Sequence, residues 1–185
     1  MEQRRKLTIQ LEGTQLDLIE GDITQLDVEA VVNSATEDLT LGNDDENSVG
    51  TAIKERGGPA IQEECERIGH APTGTAVLTT AGNLPAQHVI HAVGPRLGEG
   101  EEERKLQSAV RASLALADRH NLKSIAIPAI STGELGFPMD RCAKILLTEV
   151  YRYLQGGTKI ERVVISLFGD EAFEIFKREL RRGFR

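Results

Sequence analysis

The sequence predicts an α/β fold built as one domain over residues 1–185, and three observations lead there. Strand-like and helix-like segments alternate over most of the chain, the pattern of helices packed on a largely parallel sheet. A length of 185 residues suits one substantial core and leaves little room for a second. A strand, loop and helix unit sits at the centre: Ser124 to Ile130 is apolar and β-branched, Ser131 to Pro138 is small, polar and glycine-bearing, and Met139 to Leu154 recurs at helical spacing.

Taken in order, Lys6 to Glu12 alternates with period two, Gly13 makes a turn, and Gln15 to Glu20 alternates again, which reads as a hairpin or two adjacent strands. Gly21-Asp22-Ile23-Thr24 follows, with a carboxylate just beyond a strand tip. That Asp22 either caps a turn or accepts a hydrogen bond from a ligand amine. Val28 to Val32 is a short buried strand ending in Asn33-Ser34-Ala35-Thr36. Amide and hydroxyl side chains at such a strand end stand where open α/β sheets bind ligands. A polar loop from Leu39 to Ser48 leads to a helix beginning Val49-Gly50-Thr51, with Asn47 or Ser48 as N-cap. Gly57-Gly58-Pro59 breaks it, and Pro59 starts a second helix that runs to Gly69.

Gly74 to Thr80 and His88 to Val93 are two further strands. His88 and His91 are three apart, so on a strand they point to opposite faces and cannot share a metal. An acidic, exposed loop with Glu99, Glu101, Glu102 and Glu103 opens a helix carrying Leu106, Val110, Leu114 and Ala117. After the central unit, Arg162 to Phe168 is a last strand, and Gly169-Asp170 leads into an amphipathic helix with Phe173, Phe176 and Leu180.

Composition narrows the function. A net charge of -7, 4% aromatics and no Trp argue against a phosphate-tracking or base-stacking nucleic-acid surface. Basic residues gather only near the ends, at Arg4 to Lys6 and from Lys177 to Arg185, as a solvated face. Cys65 and Cys142 lie far apart without a CxxC pattern, which suggests neither disulfide nor zinc site but reduced thiols. With no apolar signal core or membrane-length run, the expectation is a soluble, cytoplasmic protein with a small partner. Gly133 and Gly136 let the backbone approach a ligand closely, and Ser131 and Thr132 add hydroxyls, so this loop is either an ordinary βα connection or an anion cradle.

Four loops form a joint pattern: Gly21-Asp22-Ile23-Thr24, Val31 to Thr36, Ser48 to Ile53, and Ile130 to Pro138. In this order the set resembles the macrodomain family over nearly the whole chain, and Asn83-Leu84-Pro85 to Gly94-Pro95 is similar to the family's middle strands. The resemblance implies a three-layer α/β/α sandwich around a six-stranded mixed sheet, with ADP-ribose across the strand ends; separately, neither metal nor cofactor is expected. It implies that Asp22 receives the adenine amino group beside the Ile23 backbone, and that Phe168 packs on the base. Ser131, Thr132, Gly133, Glu134, Leu135 and Gly136 would cradle the diphosphate, Ser48, Val49 and Gly50 would face it, and Asn33 would meet the distal ribose.

The chain departs from the family pattern in three places. Thr36 stands where many members have a second Asn, and Asp44-Asp45-Glu46-Asn47-Ser48 replaces a run of glycines. A carboxylate about 5 Å from the diphosphate would oppose it by about 3 kcal/mol through an effective dielectric near ~20. Gly50 occupies the position where hydrolytic members commonly place an acid. Without a base there the reading leans towards a binding module for ADP-ribose or ADP-ribosylated protein rather than an enzyme. The alternatives are a hydrolase of ADP-ribosyl-protein, O-acetyl-ADP-ribose or ADP-ribose 1''-phosphate, with Asp44, Asp45 or Glu46 as substitute base, and a scaffold that has lost nucleotide binding. A Ser131 nucleophile has only His91 and Asp140 as nominal partners and no nucleophile elbow around it.

Overall fold

The computed structural model describes residues 5–42 and 47–183. Strands β1 (Arg5–Leu11) and β2 (Thr14–Glu20) form an antiparallel hairpin paired from Arg5 with Glu20 to Leu11 with Thr14. Its two turn residues, Glu12 at φ 50° and Gly13 at φ 84°, both take positive φ, as a tight turn matched to strand twist requires. Next come β3 (Ala30–Ala35), α1 (Val49–Gly57), α2 (Pro59–Ile68), β4 (Ala76–Thr80) and β5 (His88–Val93). The chain continues through α3 (Glu102–Arg119), β6 (Ser124–Pro128), α4 (Met139–Gln155), β7 (Arg162–Leu167) and α5 (Asp170–Arg182).

The sheet has seven strands in the order β1-β2-β7-β6-β3-β5-β4. This corrects the six that the resemblance implied. The strand at one edge, β1, pairs with β2 along its whole length, and its half-buried Leu7, Ile9 and Leu11 lie against the core, so the outermost position is occupied by a true strand. Strands β2, β7, β6, β3 and β5 are mutually parallel, and β1 and β4 close the edges antiparallel.

Alternation along the strands sorts the apolar side chains into two layers. Ala30, Val32, Ile90, Ile125, Ile127, Val163 and Ile165 pack under α3, α4 and α5, whose Leu106, Val110, Leu114, Leu146, Val150 and Phe176 are fully buried. On the other face Val31, Val89, Ala126 and Val164 meet Ile53 of α1 and Ile61 and Cys65 of α2. The result is a three-layer α/β/α sandwich, as expected. No helix among the described residues is long and apolar enough to cross a membrane.

The joint between β2 and β7 carries a buried charge. Asp17, with no exposed surface, accepts hydrogen bonds at Oδ2 from Nε of Arg162 at 2.8 Å and at Oδ1 from the Thr8 hydroxyl at 2.6 Å, while Gln15 donates to both oxygens at 3.1 Å. Burial opposes ionisation, but the hydrogen bonds from Thr8, Arg162 and Gln15 outweigh it and hold the carboxyl below its usual range. Removing one partner of such a pair strands the other. Arg162→Met is therefore expected to lower the unfolding free energy by about 3 kcal/mol in urea titrations, with no loss from the exposed Arg182→Met, whose Glu179 partner lies within one helix turn.

Candidate functional site

Parallel pairing brings the carboxyl ends of β2, β7, β6 and β3 to one edge of the sheet, where a cleft of about 620 Å³ opens. Sheet order sets its two ends: Gly21 to Ile23 and Phe168 follow β2 and β7, and Asn33 to Thr36 end or follow β3. Between them the walls are the first turn of α1 and the loop after β6.

At the first end Asp22 caps a 3-10 turn, Ile23–Gln25. Its Oδ1 accepts from the Thr24 N–H at 2.9 Å and the Thr24 hydroxyl at 2.6 Å. Its Oδ2 lies 3.3 Å from the Arg56 guanidinium at the end of α1. Capping uses one oxygen, which leaves the other beside the cleft. Phe168 is 82% exposed, an aromatic ring at the cleft mouth with little of this chain packed on it.

The loop after β6 divides its N–H groups between itself and the cleft. Ser131, at φ 68°, donates its N–H to Ser34 Oγ at 3.0 Å, and its carbonyl accepts from Phe137 at 2.9 Å. Thr132 donates from N–H at 3.3 Å and from its hydroxyl at 2.7 Å to the Ala129 carbonyl. Gly136, at φ 74°, donates its N–H to the Gly133 carbonyl at 3.0 Å and lies outside the cleft lining; it turns the loop. Among the described residues nothing accepts the N–H groups of Gly133 and Leu135. Opposite them, Ser48 caps α1 by accepting the Thr51 N–H at 3.0 Å, and the Val49 and Gly50 N–H groups have no acceptor among the described residues, as the first turn of a helix leaves them. Gly50 permits this approach, because a Cβ there would stand 3.0 Å from Gly42 N and 3.6 Å from Asn33 Oδ1.

At the second end a polar chain runs under the sheet face. Asn33 and His91 are paired across β3 and β5, and Asn33 Nδ2 lies 3.2 Å from His91 Nδ1. His91 Nε2 is 2.9 Å from Thr79 Oγ1 on β4 and 3.6 Å from Cys65 Sγ. Burial drives the His91 pKa down to about 4, so the ring is neutral at neutral pH. Burial, reinforced by Glu64 and Glu66, pushes the Cys65 thiol up to about 11, and Cys65 and Cys142 are both free and buried.

Of the residues singled out in the sequence, Asp22, Ile23, Asn33, Ser48, Val49, Gly50, Ser131, Thr132, Gly133, Glu134, Leu135 and Phe168 line this one cleft, and Gly136 does not. Asp44, Asp45 and Glu46 lie outside the described residues. Among the described residues the Ser131 hydroxyl is buried with no hydrogen-bond partner, and the ring nitrogens of His91 meet Asn33 and Thr79 instead, so these residues assemble no serine–histidine pair. Sequence reasoning missed Ser34 as acceptor for the loop, Arg56 beside Asp22, and Gly94. A Cβ on Gly94 would overlap Ser131 Oγ and stand 2.7 Å from Ile130 Cγ2. Among the described residues no group of three or more His, Cys, Asp or Glu is placed to hold a metal ion.

Residues 32–146 match the family model described as Macro domain. A Macro domain-containing protein of Caldanaerobacter subterraneus is 46% identical over 169 residues, covering 88% of this chain and 94% of the relative. O-acetyl-ADP-ribose deacetylase 1 of Pantoea vagans is 38% identical over 171 residues, covering 89% and 98%. The Oceanobacillus iheyensis macrodomain, solved with ADP, superposes with a TM-score of 0.91 at 28% identity over 96% of each chain.

Two outcomes are expected from this geometry. Gly94→Ala drives a methyl group into the Ser131 loop and lowers stability in urea titrations by about 1–3 kcal/mol. His91 protonates near 6.5 in the unfolded chain but only near 4 when folded, so the unfolded state binds more protons between these values. Its contribution is complete above pH 6.5 and is lost as pH falls towards 4, on the order of 3 kcal/mol in all. Urea unfolding at pH 7 and pH 4.5 will show a smaller drop in His91→Asn than in the parent chain.

Proposed function

The chain belongs to the Macro domain family, and from that membership we propose that its cleft binds ADP-ribose, free or carried on a protein. The observation that carries the reading is the set of unaccepted N–H groups, those of Gly133 and Leu135 in one wall and Val49 and Gly50 in the other. Backbone donors at a glycine loop and a helix N-terminus suit a diphosphate. The adenine then lies at the β2–β7 end, its amino group donating to Asp22 Oδ2 and its face on Phe168. The distal ribose lies at the β3 end against Asn33. The Oceanobacillus iheyensis relative, solved with ADP, supports the nucleotide part of this assignment.

A second reading, hydrolysis of an ester at the distal ribose, is favoured by the likeness to the deacetylase of Pantoea vagans. Gly50 supplies no base, and the carboxylates of the described lining are Glu20, Asp22 and Glu134. Glu20 ends β2 and Asp22 follows it, at the adenine end. A base for water in this reading is Asp44, Asp45 or Glu46. The buried reduced cysteines suit a cytoplasmic location.

Calorimetric titration with ADP-ribose tests the binding reading. Phe168→Ala is expected to weaken binding about 5- to 150-fold, the loss of one base stack worth about 1–3 kcal/mol. Absence of binding to the parent chain would instead leave the fold as an interaction scaffold. For the hydrolase, turnover of O-acetyl-ADP-ribose should fall in Asp44→Asn, Asp45→Asn or Glu46→Gln while binding is kept; no turnover by the parent chain would exclude it.

A further inference from the structure

We propose that His91 is a positioning residue that sets the orientation of the Asn33 amide, so that the sugar end of the cleft presents a hydrogen-bond acceptor rather than a donor. The inference rests on the ADP-ribose reading above.

The protons along the buried chain are fixed one after another. Thr79 Oγ1 lies 2.9 Å from the Thr80 carbonyl, which only a hydroxyl proton can satisfy. With its proton given to that carbonyl, Thr79 accepts from His91 Nε2–H at 2.9 Å. A neutral imidazole protonated on Nε2 carries a lone pair on Nδ1. Asn33 Nδ2–H donates to that lone pair at 3.2 Å, and the opposite orientation would set the amide oxygen against it. Asn33 Oδ1 is thereby turned away from His91. It is buried without a hydrogen-bond partner among the described residues, in a residue that lines the cleft beside Gly50.

An orphaned neutral acceptor at this end has a defined chemical preference. It takes a hydroxyl donor, as a ribose offers, and repels a further phosphate, which can only accept. Leaving it unfilled costs the desolvation of a buried carbonyl, and a ligand hydroxyl recovers that loss. The three residues stand on β3, β5 and the edge strand β4, each held by ladder pairing, so sheet register and not loop conformation fixes the relay.

The test compares ADP-ribose with ADP, which lacks the distal ribose, by calorimetry on the parent chain and on His91→Leu, His91→Asn, Asn33→Ala and the Asn33→Ala/His91→Leu pair. His91→Leu is expected to lower ADP-ribose affinity about tenfold, the worth of one hydrogen bond, and to leave ADP affinity unchanged. His91→Asn, whose side-chain oxygen can stand where Nδ1 stood, restores much of the loss. The double variant is expected to bind ADP-ribose no worse than Asn33→Ala, because His91 acts through Asn33. Equal losses for ADP and ADP-ribose, or a double variant much weaker than Asn33→Ala, would overturn the proposal. If His91→Leu does not fold, Thr79→Val, which frees His91 to change tautomer, carries the same test and the same expected selectivity. A parent chain that binds neither nucleotide defeats the ADP-ribose reading itself, a result distinct from binding with unchanged selectivity.

Discussion

The parallel pairing of β2, β7, β6, β3 and β5 is the constraint on which the rest of the structure depends. Each strand buries both faces, one under α3, α4 and α5 and the other under α1 and α2, so none can shift by one residue without exchanging core for core of the wrong shape. Because the five strands run the same way, their carboxyl ends and the loops that follow share one edge. Asp17 and Arg162 pin the outer part of this arrangement, and the glycines at 50 and 94 let helix and loop close on it.

Hydrogen-bond accounting then separates framework from site. Most loop donors find a partner in the chain: Ser131 in Ser34, Thr132 in Ala129, Gly136 in Gly133 and Phe137 in Ser131. Among the described residues, several groups without a partner line the cleft, and they differ in kind. Backbone donors lie in its middle, a carboxylate and an aromatic ring at one end, and an amide acceptor at the other. A base, a diphosphate and a sugar would match these groups in that order, which is the placement proposed for ADP-ribose.

Strands were legible because alternation or an apolar β-branched run marks each of them, and helix boundaries were legible where Gly57, Gly58, Pro59 and Ser48 punctuate the chain. The seventh strand was readable from the alternation of Lys6 to Glu12, and it was the family likeness that understated the count. Loop residues of the cleft were legible as polar or glycine-bearing strand ends. What a single sequence withholds is register and approach. Asn33 and His91 are 58 positions apart and meet only because β3 and β5 pair in one particular register. Gly94 shows its necessity only when Ser131 is seen against it, and Gly136, read as part of the cradle, is spent on turning the loop. Where spacing alone left capping and binding open, as at Asp22, it is the likeness that carries the proposed role.

Backbone amide resonances followed by NMR during an ADP-ribose titration test the central claim most directly. The account requires the Gly133, Leu135, Val49 and Gly50 amides to shift together at one stoichiometric ratio, as donors that pass from no partner to a phosphate oxygen. Saturable binding that leaves these four amides unmoved, or that shifts amides on the α3–α4 face instead, would contradict it.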